Sequence, residues 1–110
     1  MAYPQGAIVI ADDPFGNNSN RPYLILSNTQ HPFHGDEYIA AIVTTTDRQR
    51  AIELTEERID EGRLPKVSYV SPWAVLTLKN WMITQQPAKA TQSTVDDVYQ
   101  ELGMYLRTQQ

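Results

Sequence analysis

Residues 37–46, Glu-Tyr-Ile-Ala-Ala-Ile-Val-Thr-Thr-Thr, carry the longest strand signal in this sequence. The run is continuously apolar in its middle and β-branched throughout its second half, a composition that favours a strand whose two faces are both covered. We therefore expect this segment to be a central strand of a sheet.

Shorter apolar segments predict the rest of the sheet. Residues 6–11, 21–28 and 51–54 are predicted strands, and Pro22 is tolerated because it stands at the first positions of its strand. Residues 67–78 are strand-like but interrupted at Pro72, so we expect two short strands there. Residues 14–20 consist of turn-forming types and predict a loop of the kind that often contacts ligands, whereas residues 55–58 predict a brief helical turn.

Only the C-terminal segment has a helical pattern. Thr94 is the expected N-cap, with Asp97 at the capping-box position. One face of this helix is predicted to pack on the sheet and carries Val95, Val98, Leu102 and Tyr105 or Leu106. With 110 residues, 41% of them hydrophobic, the chain is expected to be a single domain over residues 1–110. The fold class is mainly β with a C-terminal helix, a small barrel or curled sheet with the helix laid across it.

Composition excludes several function classes. Nine Lys and Arg against thirteen Asp and Glu give a net charge of −4, so any nucleic-acid site must be a local one. No apolar run approaches the ~18 residues of a membrane span, and the N-terminus lacks a signal-peptide pattern, so we expect a soluble, cytoplasmic protein. The absence of cysteine excludes thiolate nucleophiles, Cys-based zinc sites and iron–sulfur clusters. His31 and His34 lack a third ligand at a recognisable spacing, so we expect neither metal nor cofactor.

The order of motifs along the chain resembles that of the MazF/PemK family of toxins from type II toxin–antitoxin systems. Residues 21–28, Arg-Pro-Tyr-Leu-Ile-Leu-Ser-Asn, match the family's Arg-Pro, apolar stretch and Ser-Asn pattern. Residues 42–46, Ile-Val-Thr-Thr-Thr, match the strand that ends in a Thr pair, and residues 77–80 match the turn after the family's last strand. The resemblance runs from Gly6 to about Leu106.

This resemblance implies an SH3-like small barrel, a homodimer and a metal-independent endoribonuclease that cleaves single-stranded RNA by attack of a 2′-hydroxyl on its own phosphate. It also implies a cognate antitoxin that covers the RNA groove with a peptide. Two alternatives remain open. One is a non-catalytic RNA- or protein-binding member of the same fold, and the other is an enzyme poison like the fold-related CcdB toxins.

The resemblance places Arg21 at the family's arginine position, where a guanidinium would stabilise the phosphate charge in the transition state. It places Thr45 at the family's catalytic threonine. Because side chains alternate along a strand, Thr44 and Thr46 should face one way and Thr45 the other, and only one set can line the groove.

The general base is not fixed by the sequence. Many family members carry an acidic residue near the position of Ser71, and a serine is a poor base at neutral pH. Asp47 and His34 are candidates for proton transfer, and Glu37 is a further substitute. The remaining candidate RNA-binding residues are Asn18, Asn20, Thr44, Thr46, Arg48, Ser71, Trp73 and Lys79.

Overall fold

The computed structural model describes residues 2–13 and 20–109. Within these ranges the strands are β1 (Ala7–Asp12), β2 (Asn20–Ile25), β3 (Glu37–Thr44), β4 (Ile52–Glu53), β5 (Ile59–Gly62), β6 (Tyr69–Lys79) and β7 (Ile83–Ala90). The helix α1 (Gln92–Leu106) follows, and short 3₁₀ turns occupy Glu56–Arg58 and Asn80–Met82. No helix in the described part of the chain is long and apolar enough to cross a bilayer.

All the strands belong to one antiparallel, seven-stranded sheet in the order β4-β6-β3-β2-β1-β7-β5. The register shifts between β1 and β7, between β3 and β6, and between β5 and β7. Such irregularities increase local twist, which suits a sheet that curls into a half-barrel. As expected, β3 is an interior strand, paired with β2 on one side and β6 on the other.

Each face of the sheet carries its own hydrophobic cluster. Tyr23 and Tyr38 belong to the first cluster, and Leu24 and Val70 belong to the second. The clusters alternate along each strand because successive side chains point to opposite faces. Val98 of α1 is buried in the second cluster, so the helix covers that face of the sheet as predicted.

Helix α1 begins earlier than the sequence predicts. Its N-cap is Thr91, whose side-chain oxygen accepts a hydrogen bond from the backbone N–H of Thr94. Thr94 is buried, and its hydroxyl donates to the carbonyl of Arg58 at 3.2 Å. At the other end, Tyr105 and Leu106 are exposed, so the packed face of the helix does not extend through its last turn.

Two further expectations about the strands are wrong. Pro72 does not divide the segment 67–78, because β6 is one strand of 11 residues and the register shift against β3 accommodates the missing N–H. Strands β5 and β7 were not predicted, since acidic residues in β5 and the polar stretch Thr84-Gln85-Gln86 in β7 obscure any apolar alternation.

Candidate functional site

Arg21 lies near the start of β2, opposite Ala11 of β1. Its Nε atom lies 3.7 Å from Oδ2 of Asp13, which follows β1. The Asp13 side chain is only 1% exposed, whereas that of Arg21 is 45% exposed. A buried carboxylate therefore lies within ion-pair range, but beyond hydrogen-bond distance, of a half-exposed guanidinium.

Tyr23 lies two residues beyond Arg21, on the same face of β2, and is fully buried. Burial is the main cause that raises the pKa of its phenol, the negative charge of Asp13 raises it further, and Arg21 opposes both. Among the described residues, its hydroxyl oxygen has no hydrogen-bond partner. The phenol therefore stays protonated beneath the Asp13–Arg21 pair.

The strand register selects among the threonines at the end of β3. Tyr23 pairs with Ile42 across β2 and β3, so Arg21 and Thr44, each two residues away, point to the same face at the same end of the sheet. Thr45 lies beyond the last residue of β3 and is exposed. The backbone N–H of the equally exposed Thr46 donates to Oγ1 of Thr44 at 3.2 Å, which leaves the Thr44 hydroxyl hydrogen available to another acceptor.

Tyr69 of β6 pairs directly with Thr44. The pKa of its phenol is raised, first by burial and then by the nearby carboxylates of Asp47 and Glu53. Asp47 therefore lies at the Thr44 end of the sheet, on the exposed loop after β3. The structure thus brings one of the predicted proton-transfer candidates to the end of the sheet that carries Arg21.

Other predicted residues lie at the opposite end of the sheet. Lys79 ends β6 and forms an ion pair of 2.6 Å with Glu37, which begins β3. Seven residues of extended strand separate Glu37 from Thr44, or about 23 Å. His34 precedes Glu37 and packs its ring edge-on against Tyr38 at 5.7 Å. Strand length therefore separates His34, Glu37 and Lys79 from Arg21 and Thr44 within one chain, and a role for them in RNA binding or proton transfer stays a prediction.

The last predicted residues of this group, Asn20 and Ser71, lie in different environments. Asn20 is exposed and begins β2 next to Arg21, whereas Asn18 lies outside the described residues. Ser71 is 6% exposed and sits in the register shift of β6, so its hydroxyl is not presented to solvent. This burial does not favour direct contact with RNA, and the expectation that Ser71 binds RNA stays a prediction.

Arg48 and Trp73, two of the predicted RNA-binding residues, lie against each other. The Arg48 guanidinium carbon lies 5.3 Å from the centre of the Trp73 ring. Together with Gln49, Arg50 and Tyr105, these residues line a pocket of about 330 Å³. The pocket adjoins the C-terminal end of α1, because Tyr105 belongs to the last turns of that helix.

Arg50 is anchored to α1 by a bidentate ion pair. Its Nε lies 2.5 Å from Oε2 of Glu101, and its Nη2 lies 2.9 Å from Oε1. The Tyr105 hydroxyl also donates to Oε2, at 2.5 Å. These hydrogen bonds lower the pKa of the Glu101 carboxyl, and the hydrogen bond to Glu101 is the main cause that raises the pKa of the Tyr105 phenol.

Sequence reasoning named Arg50 and Tyr69 only as possible parts of a basic or base-stacking surface, and it missed Asp13 and Tyr105 as site residues. Asp13 had a usable signal, since a carboxylate that ends a buried strand beside a polar loop is well placed to meet the arginine opening the next strand. Nothing in the sequence links Arg50 to Glu101, which are 51 positions apart. A larger pocket of about 670 Å³ lies along residues 53–67, and none of the predicted site residues lines it.

Comparisons with solved structures identify the fold. A chain of the MazE–MazF complex from Deinococcus radiodurans matches with a TM-score of 0.74 at 20% identity, covering 99% of both chains. A mycobacterial endoribonuclease in complex with its cognate antitoxin matches with a TM-score of 0.73 at 21% identity, covering 96% of this chain and 93% of that one. The Mycobacterium tuberculosis toxin MazF-mt6 matches with a TM-score of 0.72 at 21% identity, covering 94% of this chain and 99% of that one.

By sequence alone, no family model and no curated protein matches this chain. The structural matches nevertheless cover nearly the whole chain and confirm a mainly antiparallel β fold with a C-terminal helix. This chain has the fold of the MazF toxins.

Proposed function

We propose that this protein is a toxin of the MazF type that cleaves single-stranded RNA by attack of a 2′-hydroxyl on the adjacent phosphate. The observation that carries the proposal is the placement of Arg21. Its guanidinium lies 3.7 Å from the carboxylate of buried Asp13, on the same face and at the same end of the sheet as Thr44. The fold shared with MazF toxins and with an endoribonuclease supports the proposal.

Arg21 binds the oxygens of the scissile phosphate. Attack by the 2′-hydroxyl places additional negative charge on those oxygens, and a planar guanidinium can donate to two of them at once. The carboxylate of Asp13, 3.7 Å away, attracts the guanidinium toward this end of the sheet before substrate arrives. The Thr44 hydroxyl donates a further hydrogen bond to the same phosphate.

Asp47 accepts the proton of the attacking 2′-hydroxyl. Of the candidates at the surface, it is the carboxylate at the Thr44 end of the sheet, whereas His34 lies at the other end. Its exposed position on the loop after β3 leaves it free to approach the ribose. The new P–O2′ bond displaces the 5′-oxygen, which takes up a proton from water, so the products are a 2′,3′-cyclic phosphate and a free 5′-hydroxyl.

The partners follow from the same proposal. Two of the matched structures are complexes of a toxin or an endoribonuclease with an antitoxin, which supports a cognate antitoxin for this protein. A homodimer would cover apolar side chains that the described surface exposes, among them Trp81 at 78% and Tyr99 at 71%. The toxin acts in the cytoplasm, where its messenger RNA substrate is found.

The test is an RNA cleavage assay in excess EDTA with mapping of the cut ends. We expect cuts restricted to particular sequences, with 2′,3′-cyclic phosphate ends, that disappear in Arg21→Ala. Thr44→Val should slow cleavage about 10- to 100-fold, because it removes one hydrogen bond to a charged phosphate. Thr45→Val makes the same chemical change one position further along and should cleave close to the wild-type rate.

Two results would contradict the proposal. If RNA stays intact while the protein is folded and dimeric, the protein is not a ribonuclease and acts by binding. If Thr45→Val loses activity and Thr44→Val does not, the threonine assignment from the strand register is wrong, although the ribonuclease activity stands.

A further inference from the structure

The pocket formed by Arg48, Gln49, Arg50, Trp73 and Tyr105 is separate from the phosphate site at Arg21 and Thr44. Its volume of about 330 Å³ falls at the lower end of the range of small-molecule sites. The pocket combines cationic and aromatic groups, the combination that binds unpaired nucleotides.

Arg48 is the charge that this pocket offers to a ligand. In the described part of the chain, Arg21, Arg50 and Arg58 each pair with an acidic side chain, whereas Arg48 contacts the Trp73 ring instead. Stacking on the ring restricts the guanidinium without using its N–H donors. Those donors are open to an anionic group such as a phosphate.

Arg50 lines the pocket as a rigid side chain. Its ion pair with Glu101 leaves little net charge for a ligand. Its backbone φ of 73° lies in the left-handed region, which a side chain other than glycine rarely adopts. The bidentate ion pair with Glu101 accompanies this strained conformation and neutralises the arginine. The loop that carries Arg48 is thereby tied to α1.

Tyr105 offers a rigid aromatic surface. Its side chain is 43% exposed, while its hydroxyl is held by Glu101 at 2.5 Å. A ring that is fixed in advance loses little conformational entropy when a flat base stacks on it.

We infer that this pocket binds one nucleotide of the single-stranded RNA, with the phosphate on Arg48 and the base stacked on Tyr105. The inference rests on the proposed function and adds a subsite to it. Arg48 lies four residues after Thr44, so their Cα atoms are at most ~14 Å apart. The pocket therefore lies near the Thr44 end of β3, and we expect a nucleotide bound there to help choose where the RNA is cut.

The test measures binding separately from cleavage. The probe is a short, fluorescein-labelled, single-stranded 2′-O-methyl RNA of mixed sequence, which lacks the attacking hydroxyl. We expect Arg48→Ala and Tyr105→Ala each to weaken binding about 10-fold. Tyr105→Phe keeps the ring and should retain most of the affinity. Arg63→Ala removes the same charge from an exposed position outside the pocket and should bind nearly as well as the wild type.

Trp73 provides a direct readout of the pocket. The protein contains two tryptophans, so Trp81→Phe leaves Trp73 as the only one. In that background, the same RNA should change the Trp73 fluorescence, and Arg48→Ala should reduce the change. Circular dichroism confirms that each variant is folded.

The outcomes separate this inference from the proposed function. If the protein cleaves RNA but Arg48→Ala and Tyr105→Ala bind it as the wild type does, the pocket is not an RNA subsite and the ribonuclease stands. If Arg48→Ala weakens binding no more than Arg63→Ala does, the effect is general electrostatics and the inference is overturned.

If free AMP competes as strongly as the RNA, the pocket binds mononucleotides and the inference is again wrong. If binding depends on Arg48 but RNA is never cut, the subsite stands and the ribonuclease fails.

Discussion

Tyr23 and Tyr38 lie in the same hydrophobic cluster, and both are fully buried, yet only the replacement of Tyr38 by phenylalanine should lower stability. The Tyr38 hydroxyl donates to Oδ1 of Asn80 at 2.8 Å and accepts from the backbone N–H of Tyr3 at 3.0 Å. The Tyr23 hydroxyl has no hydrogen-bond partner among the described residues. The same deletion of one oxygen therefore removes two hydrogen bonds in one case and none in the other.

The expected magnitudes follow from these partners. Tyr38→Phe should lower the free energy of unfolding by about 2 kcal/mol, since each lost bond contributes roughly 1 kcal/mol. For a domain of this size that corresponds to a melting temperature lower by about 8 °C. Tyr23→Phe removes a hydroxyl that is desolvated without compensation, so the free energy of unfolding should stay unchanged or rise by up to about 1 kcal/mol.

The assay is urea unfolding followed by far-UV circular dichroism, at one fixed protein concentration because association would contribute to stability. A loss of more than about 1 kcal/mol in Tyr23→Phe would refute the reasoning. It would mean that the Tyr23 hydroxyl makes a favourable interaction, and the carboxylate of Asp13 would be its candidate partner.

Three further changes test other parts of the structure. Thr91→Ala removes the N-cap of α1 and should destabilise the protein by about 1 kcal/mol in the same unfolding assay, with Thr91→Ser restoring most of the loss. Gly62→Ala should lower the melting temperature strongly, because Gly62 has a φ of 72° and a Cβ there would lie 2.1 Å from the carbonyl oxygen of Pro87; a melting temperature equal to that of the wild type would contradict this. Glu101 has a lowered pKa, so the stability from its pair with Arg50 should be present above its ordinary pKa of 4.5 and lost as the pH falls below it. Urea midpoints measured above and below pH 4.5 should show the loss of this contribution in the wild type. In Glu101→Gln the decrease that comes from the Arg50–Glu101 pair should be absent.

The face that we propose to bind phosphate was partly predictable. The Arg-Pro pattern that opens β2 identified Arg21, and the Thr run identified the end of β3. The choice between Thr44 and Thr45 was not predictable, because a shift of one residue reverses the side-chain direction and the sequence does not fix the register. The pairing of Tyr23 with Ile42 puts Thr44 on the same face as Arg21, which is why we propose Thr44.

Residues from distant segments show the limit of sequence reasoning more clearly. His34 and Lys79 have suitable chemistry, but the path of β3 and β6 places them at the opposite end of the sheet from Arg21. Arg48 and Trp73 were candidates separately, and only the tertiary structure places one against the other. Arg50 and Glu101 had no signal, because nothing local in either segment specifies its partner.

The sequence by itself determined the class of fold, since β-branched apolar runs and a single amphipathic helical segment are local patterns set by side-chain periodicity and backbone preference. It also determined that any RNA site must be a local concentration of charge, because the net charge is −4. Only the tertiary structure decided which side chains meet, because pairing register and sheet curl depend on contacts between distant residues. Asp13 beneath Arg21 and Tyr105 beside Arg48 result from those contacts.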